Sequence, residues 1–339
     1  MNIQVRELLD SDAEAWDDLV RSSRQKVVFQ RRDFLDIWAG EDPDWHLLKL
    51  GCFDERGRLV CGQAIIHRKF LGLRIQNTLS IFYAGTPVLT GEIEEYSPEQ
   101  YEILSALAHA SRKRFPYLRI EFHPNLTDAR AYIDNGWEAG LQYTHTWDLG
   151  DLNAVLKGMH RKQSYVRKAQ GMYIFGCENG EAIIDEFLRL YRETMEKFEW
   201  QPTAHWKEAF RRKARWLDQQ GLLRPFTCRT KTGELVGIAL YILSRESGMA
   251  YFWLIGYDHA LNSKEFPPAI HWYAAQNLAA EFRTIDFGEG GNASLFAYKD
   301  SLGTTSLPFW VLKTQSMSNW SALYTSLRKI RQALLKFIP

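Results

Sequence analysis

The chain has 339 residues, with 42 Lys and Arg against 41 Asp and Glu and a formal net charge of +1. That length suits two domains or one large one. The near-neutral balance excludes a globally basic nucleic-acid binder but leaves room for a local basic patch, so no DNA partner is expected. A hydrophobic share of 45% with 24% charged residues is that of a globular chain with a substantial core. Cys52, Cys61, Cys177 and Cys228 are scattered, with no CxxC spacing and no accompanying His cluster. They imply neither a disulfide framework nor a metal site, and fit free thiols in a reducing compartment. Arg6, Glu7, Asp10 and Asp12 stand where a signal peptide needs an apolar run, and no apolar stretch reaches membrane-spanning length. A cytoplasmic location is expected, open to peripheral contact with a membrane.

In chain order, residues 3–9 read as a strand. Ser11 and Asp12 offer N-caps for a helix through about Ser22, with Ala13, Trp16, Leu19 and Val20 on its apolar face. A second helix carries Phe34, Leu35, Ile37 and Trp38. Strands 45–53 and 58–66 flank Asp54-Glu55-Arg56-Gly57, a hairpin signal. A strand at about 73–80, a helix at about 98–114, a strand at 117–122, a short helix at 127–135 ended by Gly136 and a strand at 141–149 follow. After Gly150 the order begins again. A basic helix at about 151–169 leads to a strand at 172–177, helices at 181–199 and 203–219, and strands at 223–229, 235–243 and 249–256. A helix at 267–282, a strand at 283–287 and a closing strand at 307–313 complete the series.

The pattern predicts two copies of one α/β unit, each an α+β arrangement on a mixed sheet. The expected organisation is 1–150, 151–315 and a C-terminal helix at 316–339. In that last helix, apolar residues at 320, 323, 327, 330, 334 and 338 alternate with Arg328, Lys329, Arg331 and Lys336. Such a basic amphipathic helix suits an anionic membrane surface, or docking on the protein itself or on a second copy. There is no GxxxxGK[ST], no GxGxxG opening a helix and no GxSxG, which argues against a P-loop, a Rossmann site and a nucleophile elbow.

The passage from Thr284 to Gly303 carries the most chemistry. A strand end runs into Asp286-Phe287-Gly288, a turn with Gly290 and Gly291, then Tyr298-Lys299 and Gly303. Backbone N–H groups at such a turn and a fixed ammonium both suit a developing oxyanion, the need of acyl transfer.

Several segments together resemble the Fem-type aminoacyltransferases and their acyltransferase relatives. These are Val28-Phe29-Gln30 with Phe34 and Trp38, then Tyr143-Thr144-His145-Thr146-Trp147-Asp148-Leu149 followed by Arg161 and Tyr165-Val166-Arg167-Lys168-Ala169, then Asp286-Phe287-Gly288 with Lys299 and Gly303. The resemblance spans roughly residues 25–313. It implies two tandem GNAT-type acyltransferase domains, and transfer of an acyl or aminoacyl group from an activated donor to an amine of a peptide, an amino sugar or a small molecule. Fem-type members add amino acids from aminoacyl-tRNA to peptidoglycan precursors, and relatives serve exopolysaccharide or natural-product pathways. The implied co-substrate is an acyl-CoA, an acyl-carrier protein thioester or an aminoacyl-tRNA, with no bound cofactor and no metal. Where CoA-using relatives carry [QR]xxGx[GA], this chain has Gly256 to Pro268 with few glycines, and the long coiled-coil insertion of some Fem proteins is missing.

On this reading Lys299 stabilises the charge that develops on the donor carbonyl, and Glu289 is a candidate base. Tyr298 packs beside the donor, and Arg161, Arg167 and Lys168 contact its phosphates. Tyr251, Trp253 and Asp286 border the acceptor groove, where two central strands splay apart. Each residue also has a plainer reading: Tyr298, Tyr251 and Trp253 as core, the basic residues as a solvated face, and Asp286 as the brace of its own turn. The rival function is a degenerate, non-catalytic pair that binds a glycan or peptide.

Overall fold

The computed structural model describes residues 2–40, 44–70, 73–76, 83, 85–196, 199–260 and 264–314. The amphipathic segment expected at 316–339 and the end of the strand expected at 73–80 lie outside them. The described residues form two compact units, one drawn from Met1–Gln142 and Phe309–Pro339, the other from Tyr143–Pro308. The reading from the sequence has one boundary near Gly150; here the chain divides twice, each time inside a strand.

The first unit opens with β1 (Gln4–Glu7), α1 (Ala13–Ser22), α2 (Arg32–Ala39), β2 (Trp45–Phe53), β3 (Leu59–Phe70), β4 (Leu73–Ile75) and β5 (Val88–Leu89). Then come α3 (Pro98–Arg114), β6 (Arg119–Glu121) and α4 (Arg130–Asp134). Strands β1 to β4 form one antiparallel path, and β5 also pairs with β3. The β2–β3 hairpin forms as expected, because the Asp54 carboxylate accepts the backbone N–H groups of Arg56 (2.9 Å) and Arg58 (2.8 Å). Helix α3 starts where Ser97 caps the Gln100 N–H at 3.1 Å and Pro98 needs no partner. It buries Ile103, Leu104 and Leu107 against Leu50, Cys52 and Ile65. Asp12 does not cap α1 with its side chain. Arg6 draws that carboxylate away with two bonds of 2.7 Å in a bidentate, charge-assisted contact.

The chain continues through β7 (Trp137–Asp148), α5 (Leu152–Gly158), α6 (Lys162–Met172), β8 (Tyr173–Cys177), α7 (Glu181–Glu196) and α8 (Ala204–Gln219). It ends with β9 (Leu223–Thr230), β10 (Leu235–Ser244), β11 (Met249–Tyr257), α9 (Phe266–Leu278), β12 (Thr284–Glu289), α10 (Ala293–Ser301) and β13 (Thr305–Thr314). The second unit is built on the strand order β7-β12-β11-β10-β9-β8. Only β11 and β12 run parallel, so the sheet is mixed. The single basic helix expected at 151–169 is two helices. Gly158, a poor helix former, ends α5, and His160 at φ 42° turns the chain before α6. Helix α9 covers one face of the sheet, where Phe252 meets His271 with ring centroids 4.8 Å apart. Helices α7 and α8 cover the other, where Trp253 stacks on Phe210 at 5.0 Å.

Candidate active site

The site begins with a break in the sheet. Strands β11 and β12 are in register at three pairs only, Met249↔Thr284, Ala250↔Ile285 and Tyr251↔Asp286. Beyond them β11 continues to Tyr257 and β12 to Glu289 without pairing to each other. At the same height β11 bulges: Leu240 faces Leu254 and Tyr241 faces Phe252, which leaves Trp253 as the extra residue. The consequence is visible in burial. The whole run Val236–Ser244 of neighbouring β10 is buried, whereas Phe252, Trp253, Leu254 and Ile255 are all half-buried. An interior strand is thus partly exposed, despite the helices on its two faces, at the point where it has lost one neighbour.

Asp286 marks the branch point. It is fully buried; one carboxylate oxygen accepts the Thr144 hydroxyl and the Gly288 N–H, the latter at 2.7 Å. Gly288, at φ 72°, can then turn the backbone in a way a side chain would resist. Asp286 therefore braces the turn and does not line a groove.

Lys299 lies under that turn, 8% exposed. Its Nζ donates to the carbonyls of Phe287 (2.5 Å), Gly288 (3.0 Å) and Glu289 (2.5 Å). An ammonium has three donors, and three carbonyls take them. The contact with a donor carbonyl expected from the sequence is not the contact this side chain makes. Burial lowers its pKa from 10.5 to about 8, against the opposing pull of Asp286 and Glu289. The Glu289 side chain sits exposed at the strand end.

Tyr298, one residue before, points its hydroxyl inward. That atom is buried and takes part in no hydrogen bond among the described residues, and desolvation raises its pKa. A buried hydroxyl without a partner is costly, so its place calls for a physical reason. Lys162 reaches over the same ring, 5.9 Å from its centroid, and over Tyr165 at 5.1 Å.

Of the other expected residues, Tyr251 is fully buried with its hydroxyl 3.4 Å from the Met249 sulfur, so it belongs to the core and not to a groove. Trp253 is at the opening but turns its ring onto Phe210. Arg161, just before α6, and Arg167 on it are exposed, while Lys168 is tied to Glu265 at 2.6 Å. From the sequence, His271 at the start of a helix after Pro267-Pro268 reads as structural rather than as a site residue. His271 of α9 is buried beside Phe252 and Phe287, with Nδ1 2.6 Å from the Tyr241 hydroxyl, and burial and Lys299 lower its pKa to about 3. A neutral imidazole on a helix carries no sequence signal of its neighbours. Among the described residues no group of three or more His, Cys, Asp or Glu could hold a metal ion, and no helix is long and apolar enough to cross a membrane.

Comparison with known proteins bears on the fold. Residues 154–300, all within the second unit, match the family described as "Acetyltransferase (GNAT) domain". The whole chain is similar in structure to FemX (TM-score 0.63, 12% identity, covering 91% of this chain and 96% of that one). It is also similar to a tandem GNAT protein from the clavulanic acid biosynthesis pathway (TM-score 0.53, 14% identity, 92% and 98%). A third likeness is to L-PGS from Bacillus licheniformis (TM-score 0.51, 12% identity, 94% and 96%). No curated protein matches the chain. The fold is the tandem GNAT fold, with the mixed α/β architecture expected from the sequence.

Proposed function

We propose that this chain is an N-acyltransferase whose reacting carbonyl is held where β11 parts from β12. The observation that carries this reading is the half-buried run Phe252–Ile255 in the middle of an otherwise buried sheet. A donor laid in the gap would run along β11 past Tyr251, where β12 is no longer registered with it, and an amine would approach from the other face. Positioning of this kind supplies much of the rate of acyl transfer. Tyr298 is assigned to the donor, its lone hydroxyl donating to the carbonyl or to the leaving atom. Arg161 and Arg167 are assigned to the donor's phosphates.

Coenzyme A is the donor that the fold suggests first, and the start of α9 does not suit its pyrophosphate. Phosphates rest on free N–H groups at helix starts. Here Pro267 and Pro268 remove two of them, and Glu265 places a carboxylate at the cap position. An ester or thioester donor on another anionic carrier, aminoacyl-tRNA or an acyl-carrier protein, fits the exposed cations of α6 better.

The test is acyl transfer itself. Acetyl-CoA, an acyl-carrier thioester and charged tRNA are each offered with a panel of peptide, amino-sugar and small amines, and products are read by mass spectrometry. An acylated amine supports the proposal. Tight donor binding with no product from any pairing would favour the non-catalytic binding module.

A further inference from the structure

We propose that the carbonyl oxygens of Phe287, Gly288 and Glu289 form a monovalent-cation site, and that Lys299 fills it with its own ammonium. This holds whether or not the chain transfers an acyl group.

Three consecutive carbonyls rarely point to one centre. In an extended strand successive carbonyls alternate in direction. Here all three converge on Nζ at 2.5, 3.0 and 2.5 Å. Two features make the convergence feasible. Gly288 takes φ 72°, and Asp286 captures the Gly288 N–H at 2.7 Å, which fixes the Phe287 carbonyl on the opposite side of that peptide. Asp286 adds negative charge behind the ring of oxygens, and it pulls the Lys299 pKa upward against burial, as does Glu289.

The chemistry is that of oxygen ligands around a weakly hydrated cation. Carbonyl oxygens replace the hydration shell of potassium in the same manner. The Lys299 side chain supplies an equivalent charge without needing a free ion, and it comes from α10 packed over the turn. Its Cα is further held because the Thr304 hydroxyl donates to the Lys299 carbonyl at 2.9 Å. Removing the side chain leaves three inward carbonyls, a buried carboxylate and space of about one ammonium with its stem.

The experiment uses Lys299→Ala in the full chain. Its melting temperature is measured in ammonium chloride and in tetramethylammonium chloride at equal ionic strength. Ammonium fits three converging oxygens; tetramethylammonium offers no N–H and is too large. The expected result is an ammonium-specific rise of about 2 °C or more in the variant at concentrations near its affinity. Wild type, whose site is filled, and the core variant Val236→Ala show no such rise. No ammonium-specific gain in Lys299→Ala, or an equal gain in Val236→Ala, overturns the proposal. Should Lys299→Ala fail to fold, the wild type itself decides. Its Lys299 ammonium protons should be resolved in 15N NMR as a slowly exchanging NH3+ group below pH 7, and a Lys299 signal exchanging as fast as surface lysines overturns it.

Discussion

Tyr251 stands opposite Asp286 as the last registered pair between β11 and β12, and beyond it the two strands separate. Both residues are fully buried, so the separation starts from a fixed point and not from a frayed end.

That fixed point depends on the Asp286 carboxylate. Asp286→Ala leaves the Thr144 hydroxyl and the Gly288 N–H without their acceptor. Each buried orphan costs about 1–3 kcal/mol, so a loss of about 3 kcal/mol or more is expected. Asp286→Asn keeps an acceptor oxygen and should lose less. Urea unfolding of the two variants checks the order; equal losses would show that the brace is not the carboxylate oxygen.

Lys299 gives a pH dependence with a definite sign. Its pKa is about 8 in the folded chain against an ordinary 10.5. Below pH 8 both states are charged and the native state bears the full cost of burying the charge. Between pH 8 and 10.5 the unfolded chain holds a proton that the native chain has released, so this group's contribution to stability rises with pH. The rise is on the order of 3 kcal/mol for a difference of this size. In Lys299→Met it should vanish. The readout is the difference between wild-type and variant unfolding free energies from pH 7.5 to 10.5; a difference that stays flat contradicts the buried, charged lysine.

Tyr298→Phe separates function from folding. The hydroxyl has no partner among the described residues, so its loss should leave the melting temperature unchanged or slightly higher. If it serves the donor, turnover falls by about 10²-fold. A variant less stable than wild type but equally active would place Tyr298 in the core alone.

Gly303 tests the seating of α10. It adopts φ 71°, and a methyl group there would come within 2.8 Å of the Gly158 Cα. Gly303→Ala therefore meets both a strained backbone and a clash at the end of α5, and about 2–4 kcal/mol of destabilisation is expected. Chemical denaturation measures it; a loss below about 1 kcal/mol would mean that α5 moves aside at little cost.

Arg161→Ala with Arg167→Ala should weaken binding of an anionic donor while leaving stability within about 0.5 kcal/mol, because both side chains are exposed. The loss should shrink as salt is added. Salt-independent weakening would point to a different role for α6.

How far the sequence reached follows from the range of each interaction. Ser97-Pro98 and the apolar spacing of α3 are local, and that helix spans the residues its pattern outlines. The Asp54–Gly57 hairpin is equally local. The resemblance to Fem-type proteins rested on short segments in order, and the fold agrees with it. The parting of β11 from β12 was expected only through that resemblance, since no residue in Tyr251–Tyr257 encodes the lack of a neighbour. Lys299 illustrates the limit most sharply. Its identity and place after Gly288 pointed to chemistry, but its three partners are backbone atoms, and backbone atoms leave no letter in a sequence. The division of the chain was obscured for a similar reason: it falls inside β7 and β13, where no change of composition marks it.

The opening beside β11 has a consequence for motion in solution. Amide protons of Met249–Tyr251 are enclosed between two registered neighbours, while those further along the same strand lose one flank at the bulge. Hydrogen–deuterium exchange should therefore quicken abruptly within a single strand, between Tyr251 and Trp253, and slow again once a tight ligand's own amides or ester oxygens supply the missing rung. A compound with a short peptide-like stem would then act as a surrogate strand, and its footprint in exchange would locate the gap without any turnover.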